Sequence, residues 1–369
     1  MMLQTTTIGY IDLGLIGGSI ARAMREIRPD ARQIVFCRHE AAPNGLLLAK
    51  KEGVIDEIVF TLEPFAACDL IFLCAPVLDN DIYLTKLATI IPETTILTDV
   101  GSVKEEIVTK AEALGISHHF IGGHPMTGSE KTGYANSSMR LLENAYYILT
   151  PGKDTPASLV EEMTALVREM KALPVTLVPA EHDRIVASIS HLPHLIASSL
   201  VNHVRDKEDE RELYKNLAAG GFKDITRIAS SSPEMWESIC LSNKKSILSV
   251  LGDYIASLQD IYQEISLENG SAIYEMFATS REYRGQIPQR KASTLERMID
   301  LYVDIPDETG AIAILASMLA ANAINIKNIG IIHNREFAEG CLHVELYDEE
   351  SREKAIAILE NHRYTLYRR

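Results

Sequence analysis

Four short segments of this 369-residue chain carry side chains that can move a proton or hold an anion. Thr98–Lys104 reads TDVGSVK; it ends an apolar run, begins a helical one, and presents Ser102 at the junction. Gly122–Gly133 reads GGHPMTGSEKTG and leaves the next apolar run with His124 at its tip. Glu181–His194, EHDRIVASISHLPH, supplies Asp183, His191 and His194. Gly220–Trp236, GGFKDITRIASSSPEMW, sets Asp224 and Arg227 one helical turn apart, so that both could face one cleft. A neutral imidazole suits proton acceptance near pH 7. A guanidinium is a planar, permanently charged fork for a carboxylate, a job lysine does less well. Each residue also has a plainer reading. His124, between Gly123 and Pro125, could be a loop histidine, and His191 reads as a helix-cap or core residue satisfied by backbone. Asp224 and Arg227 could be a surface pair worth about a few tenths of a kcal/mol. Trp236, the only tryptophan, reads as core packing.

The elements that must position these residues follow from patterning. Apolar runs at Thr6–Ile11, Gln33–Cys37, Leu70–Ala75, Thr95–Val100 and His119–Gly122 read as strands, with helices starting near Gly17, Leu46, Asp79, Ser102 and Ser158. Such alternation predicts a mostly parallel sheet covered on both faces, with ligands beyond the carboxyl ends of its strands. From Glu181 to Glu282 the periodicity is helical, interrupted at Ala219–Gly221 and Ser230–Pro233, and a polar stretch, Arg284–Thr294, reads as a linker. Beyond it Met298–Ile305, a helix through Ala321, Ile324–His333, Gly340–Tyr347, Ser351–Asn361 and Thr365–Arg368 spell βαββαβ.

The first strand runs into IGYIDLGLIGGSIA. Gly14 can admit a pyrophosphate, Gly17 can allow close helix–strand packing, and the N–H groups near Leu15, Ile16 and Gly17 can meet the phosphates. Asp12 stands where the GxGxxG fingerprint has its first glycine, which adds a side chain and a negative charge at the turn. The second strand ends Phe36-Cys37-Arg38-His39, without the carboxylate that usually meets the ribose of NAD; Arg38 suits the 2′-phosphate of NADP instead.

Composition bounds the rest. Lys+Arg 36 against Asp+Glu 51 leaves a net charge of −15, which disfavours nonspecific binding to nucleic acid or an anionic membrane. Five scattered cysteines without a CxxC argue against a disulfide framework and a zinc site, and no metal is expected. With no basic residue before Arg22 there is no signal-peptide pattern. Ile185–Val204 lacks formal charge but holds three histidines, four serines, an asparagine and a proline, and reads as a buried helical segment of a cytoplasmic protein.

In this order and spacing, DVGSVK, GGHPMTGSE, SHLPH and FKDITRIA resemble the prephenate and arogenate dehydrogenase family of tyrosine biosynthesis, from about Ile8 to Leu251. The C-terminal βαββαβ resembles an ACT regulatory domain. Together they imply an α/β Rossmann-type dinucleotide-binding domain (1–178), an all-α substrate and dimerisation domain (179–290) and a ferredoxin-like ACT domain (296–369), in a homodimer joined through the helical domain.

The resemblance implies oxidative decarboxylation of prephenate to 4-hydroxyphenylpyruvate. The ring alcohol loses hydride to nicotinamide while the ring carboxylate leaves as CO2. His124 then accepts a hydrogen bond from the ring hydroxyl, Ser102 orients both, Arg227 takes a substrate carboxylate, and Asp224 holds the Arg227 helix. His194 and Asp183, eleven residues and three turns apart, would pair and shape the carboxylate-binding environment, while Glu130 would gate or polarise the site. Ala75 and Pro76 would lie against the cofactor. NAD is the cofactor the resemblance implies; NADP is the one Arg38 points to. In the ACT domain, Gly310 permits close backbone approach, and Asp307 and Asn325 match positions that hold an amino acid, implying feedback inhibition by tyrosine. The alternatives are a purely structural C-terminal module, arogenate as substrate, or an amino-acid-sensing homologue impaired in cofactor binding.

Overall fold

The computed structural model describes residues 6–39, 41–128, 131–287, 299–306, 308–332 and 341–367. They form two compact units, Met1–Glu282 and Tyr283–Arg369.

The first unit opens with β1 (Thr7–Ile11), α1 (Leu15–Ile27), β2 (Arg32–Phe36), α2 (Asn44–Lys51), β3 (Glu57–Val59), β4 (Leu70–Leu73) and α3 (Val77–Leu87). It continues with β5 (Ile96–Asp99), α4 (Glu105–Ala113), β6 (Phe120–Pro125), β7 (Tyr146–Pro151), α5 (Ala157–Glu169) and β8 (Leu173–Thr176). The strands make one sheet in the order β3-β2-β1-β4-β5-β6-β7-β8. This is the expected Rossmann-type sheet. Its strands are apolar at successive positions because both faces are covered. Ile8, Tyr10, Leu70 and Phe72 pack under α1 and α5 on one face, and Ile11, Ile71, Leu73 and Leu97 under α3 and α4 on the other.

Patterning missed three strands. β3 has only three residues and β8 contains Pro174, so neither shows a run long enough to read. β7 pairs antiparallel with β6. A parallel return needs a crossover of a dozen or more residues, usually a helix; between His124 and Tyr146 the described chain makes only single turns, at Tyr134–Asn136 and Met139–Leu141. Those turns lie on α1: Arg22 sits over the Tyr134 ring at 4.5 Å, and Ser138 N–H donates to Ser19 Oγ at 3.1 Å. The segment leaving His124 is thereby folded back over the helix of the glycine turn.

Next come α6 (Pro179–Val186), α7 (Leu192–Arg205), α8 (Leu213–Leu217), α9 (Gly220–Thr226), α10 (Pro233–Ser242), α11 (Lys244–Ser266) and α12 (Gly270–Gln286). α6 and α7 are continuous through a π-helical turn at Ala187–His191. The resulting Pro179–Arg205 helix is long and apolar enough, by length and composition, to cross a bilayer. It is not the buried segment expected, because only 22% of its most apolar window is buried. The helix also carries much of the site described below. α12 runs through Gln286, so the expected linker begins as helix; 288–294 lies outside the described residues.

The second unit contains β9 (Ile299–Asp304), α13 (Ala311–Ala321), β10 (Ile326–Ile332), β11 (Cys341–Leu346), α14 (Glu349–Asn361) and β12 (Leu366–Tyr367). Its sheet order is β10-β11-β9-β12 with antiparallel neighbours, the βαββαβ read from the sequence. Leu301, Val303, Leu315, Leu319, Leu342, Val344 and Leu359 form its core.

Candidate active site

β1, β4, β5 and β6 run parallel and adjacent, so their carboxyl ends lie along one edge. That edge carries the glycine turn, Ala75-Pro76, the DVGSVK segment and His124, which the sequence spreads over more than a hundred residues. α10 packs against α3, and α6 against α4 and β7, which sets the helical layer beside the same edge.

The glycine turn is built despite Asp12. Its backbone is left-handed, with φ 68°, the conformation for which a glycine is ordinarily required. Aspartate is among the few other residues that visit it, by bonding locally; here Asp12 Oδ1 accepts the Leu13 N–H at 2.7 Å. The tight turn is thus kept, and the carboxylate stays exposed. α1 follows, its first intrahelical bond running from Gly18 N–H to Gly14 O at 3.0 Å, so the Leu15, Ile16 and Gly17 N–H groups precede that ladder. A Cβ on Gly14 would meet nothing within 4 Å, whereas one on Gly17 would lie 2.8 Å from Cys74 Cβ. Open approach at the first and close packing at the second are what a dinucleotide requires of these two glycines. Arg38, at the end of β2, is ion-paired to Asp79 of α3 at 3.2 Å.

His124 is partly buried at the end of β6. The residue before it pairs with Leu149 of β7, but on its β5 side it is held by an ion pair, because the β5–β6 ladder stops at Thr98–Ile121. Lys104 Nζ contacts the Asp99 carboxylate and donates to Gly123 O at 2.9 Å, and Asp99 Oδ1 accepts the Gly123 N–H at 3.2 Å. Lys104 and Asp99 are both fully buried. Burial pulls the Lys104 ammonium below its usual value, against the attraction of Asp99.

Behind His124 lies a chain of polar contacts that sequence reasoning did not foresee. His124 Nδ1 is 2.8 Å from His182 Nε2, and His182 Nδ1 is 2.7 Å from Asp183 Oδ1. The same Asp183 carboxylate accepts the Lys104 N–H (2.8 Å) and the Glu105 N–H (2.9 Å), capping α4 from another helix. Asn243 Nδ2 donates to Asp183 O at 2.9 Å and lies 3.2 Å from His191 Nδ1. Burial, then the neighbouring His182 and Lys104, holds the His124 imidazole well below the usual histidine range. Burial likewise brings His191 down to about 4.

The expected pairing of Asp183 with His194 is not formed. Asp183 instead meets its sequence neighbour His182 and the start of α4, while His194 stacks on Trp236 with ring centroids 3.9 Å apart. Burial lowers the His194 pKa; a hydrogen bond to the Ile228 backbone opposes this and the charge of Arg227 adds to it. Arg227 begins a turn, Arg227–Ser230, that packs against α7 and so belongs to this side of the cleft. Asp224 is exposed and, among the described residues, makes no ion pair with Arg227. Ser102 is partly buried at the carboxyl end of β5 but makes no hydrogen bond to His124, whose described partner is His182. His191 is buried as expected, yet its partner is a side chain, Asn243, rather than backbone. Trp236 packs edge-on against His191 as well as stacking on His194, so it lines the site rather than the core. Glu130 lies outside the described residues. In the second unit Gly310 is left-handed (φ 93°) at the start of α13 and Asn325 is exposed; Asp307 lies outside the described residues.

Comparison with known proteins agrees with this assembly. The family model "Prephenate dehydrogenase, nucleotide-binding domain" matches residues 8–176, and "Prephenate dehydrogenase, dimerization domain" matches 178–279. A Bacillus subtilis prephenate dehydrogenase is 38% identical over 357 residues, 96% of this chain and 95% of its own length. The crystal structure of an Aquifex aeolicus prephenate dehydrogenase in complex with hydroxyphenyl propionate and NAD+ superposes with a TM-score of 0.73 at 29% identity, covering 78% of this chain and 100% of that one. A Synechocystis arogenate dehydrogenase gives 0.67 at 29% identity, covering 76% and 100%. The chain belongs to the prephenate dehydrogenase family.

Proposed function

We propose that the chain is an NAD-dependent prephenate dehydrogenase, active as a homodimer in the cytoplasm and inhibited by tyrosine. One observation carries this reading: a histidine with its far ring nitrogen already engaged stands at the same sheet edge as a glycine turn that is open at Gly14. The bound nicotinamide ring supplies the acceptor for the hydride. His124 takes the proton of the ring hydroxyl as the carbonyl forms, a task for which its depressed pKa keeps it neutral. Arg227 holds a substrate carboxylate and Ser102 stands beside the reacting hydroxyl. His194, stacked on Trp236, presents a flat wall to the ring. The N–H groups of Leu15, Ile16 and Gly17 receive the pyrophosphate, with Ala75 and Pro76 alongside.

NAD is favoured over NADP because Arg38 is already engaged: a 2′-phosphate brought to it would also meet the Asp79 carboxylate. The helical layer leaves Leu217, Leu248, Ile255, Tyr262 and Phe277 exposed, a surface suited to a second copy. In this reading the chain divides into a dinucleotide-binding domain (1–178), a helical domain (179–290) and an ACT domain (296–369), whose α13 N-terminus at Gly310, with Asp307 and Asn325, receives the amino-acid effector. Reduced-cofactor absorbance with prephenate or arogenate, each with NAD or NADP, tests the assignment. Turnover is expected with prephenate and NAD. Preference for arogenate overturns the substrate, preference for NADP overturns the cofactor, and no turnover with any pair overturns the enzyme.

A further inference from the structure

A histidine that accepts a proton at one ring nitrogen must carry its own proton on the other. Nothing in the imidazole itself guarantees that arrangement, and an unpartnered ring populates both forms. In this protein the form is dictated from behind. Asp183 is a carboxylate whose oxygens accept the Lys104 and Glu105 N–H groups, so it can only accept from His182 Nδ1 as well. His182 therefore holds its proton on Nδ1 and offers a lone pair at Nε2. That lone pair can only accept from His124 Nδ1, 2.8 Å away. His124 is left with an unprotonated Nε2, on the side of the ring away from His182. Neither relay residue has access to solvent, with His182 0% and Asp183 1% exposed, so water cannot scramble the order.

We propose that His182 and Asp183 are positioning residues that fix the tautomer of His124, keeping Nε2 as the acceptor for the substrate hydroxyl proton. The proposal deepens the reading of His124 as proton acceptor and rests on it. When the proton arrives, it bonds to Nε2 while the Nδ1–H stays directed at His182. No further proton has to move along the chain.

Asp183→Asn in the full-length protein is the sharpest perturbation. One carboxylate oxygen becomes an NH2 group. Turned toward His182, it donates to Nδ1, moves the His182 proton to Nε2, and so drives the His124 proton to Nε2, the wrong nitrogen. In a serine-protease triad the same exchange lowers kcat by about 10⁴; here a fall on the order of 10²–10⁴ is expected with the NAD KM within about twofold. The tautomer is read directly from nitrogen chemical shifts of ¹⁵N-histidine-labelled protein at pH 8, the His124 signals being assigned by their absence in His124→Asn. The wild type should show a protonated Nδ1 and a bare Nε2, and Asp183→Asn the reverse.

Because Asp183 also caps α4, a second pair of variants carries the test if that one fails to fold. His182→Gln offers an amide oxygen to His124 Nδ1–H and should retain at least tenfold more kcat than His182→Ala. Wild-type His124 protonated at Nε2 would overturn the proposal, as would an inverted tautomer with unchanged kcat, or equal activities for the Gln and Ala variants. The chemical shifts answer without turnover, so failure of the assigned reaction and failure of the relay are separate results.

Discussion

Replacing Lys104 by methionine keeps the length of the side chain and removes only its charge and donors. The ammonium is fully buried, facing the Asp99 carboxylate and Gly123 O. Without it, Asp99 remains buried with only the N–H groups of Gly101 (2.8 Å) and Gly123 (3.2 Å) to balance its charge, and Gly123 O loses the ammonium donor. Removing one partner of a buried pair costs about 3–5 kcal/mol, most of it the uncompensated partner. With an unfolding entropy of about 2.1 cal/mol/K per residue, the Met1–Glu282 unit loses about 0.6 kcal/mol per degree, so its melting transition should fall by roughly 5–8 °C. Differential scanning calorimetry reads this shift directly. Asp99→Leu with Lys104→Met should recover most of the loss, since a buried pair exchanged whole for apolar residues is close to neutral. A single-variant shift under about 1 °C, or a double variant no better than the single, would refute the reasoning. The variant also has a kinetic signature: Lys104 helps depress the His124 pKa, so its removal should move the acid limb of kcat/KM toward neutrality.

In the unaltered protein that limb should lie below pH 6.5, because His124 is held neutral to more acid pH by burial and by its neighbours; a limb at or above 7 would remove His124 from the proton transfer. His191, brought down to about 4 by burial, binds its proton more readily unfolded than folded. Stability is therefore complete above about pH 6.5 and declines as pH falls toward 4, at up to about 1.4 kcal/mol per unit, which equilibrium denaturation at stepped pH checks. Arg227→Ala should raise the prephenate KM by about 1.5–3 kcal/mol, roughly 10–150-fold, with a smaller change in kcat; an unchanged KM would reassign the carboxylate site. Asp12→Gly relieves a left-handed aspartate and removes a charge at the phosphate turn, so NAD titrated calorimetrically should bind more tightly, and weaker binding would show that Asp12 supports the loop. Ending the chain after Arg290 should abolish tyrosine inhibition and leave turnover; retained inhibition would place the effector in the first unit.

The parts of the site legible in the sequence were those whose evidence is local. A glycine turn, a histidine just past an apolar run and an arginine on a helical segment can each be read within a dozen residues, and the parallel sheet brings the first two to one edge without further information. What stayed hidden depends on contacts between distant segments. Asp183 was matched to His194 by counting helical turns, but the π turn at Ala187–His191 breaks the regular spacing between them, and Asp183 finds its partner in the adjacent His182 and in α4. Nothing in TDVGSVK singles out Lys104, and only the fold shows that it replaces a missing rung between β5 and β6. Asp12 looked like a defect; it occupies the left-handed turn reserved for the fingerprint's first glycine by bonding the next N–H itself.

The cap that Asp183 places on α4 has a consequence for how such a chain can be divided and inherited. By sequence α6 opens the helical half, yet through this one side chain it is tied to the α/β half, and through His182 its contacts reach His124. A break between Thr176 and Pro179, natural by length and composition, would leave α4 uncapped and His124 unsupported. The unit of heredity is therefore larger than the nucleotide-binding sheet. If the relay acts as proposed, an exchange of halves between relatives should preserve the chemistry only where the crossover falls beyond α6, so that His124, His182 and Asp183 travel together.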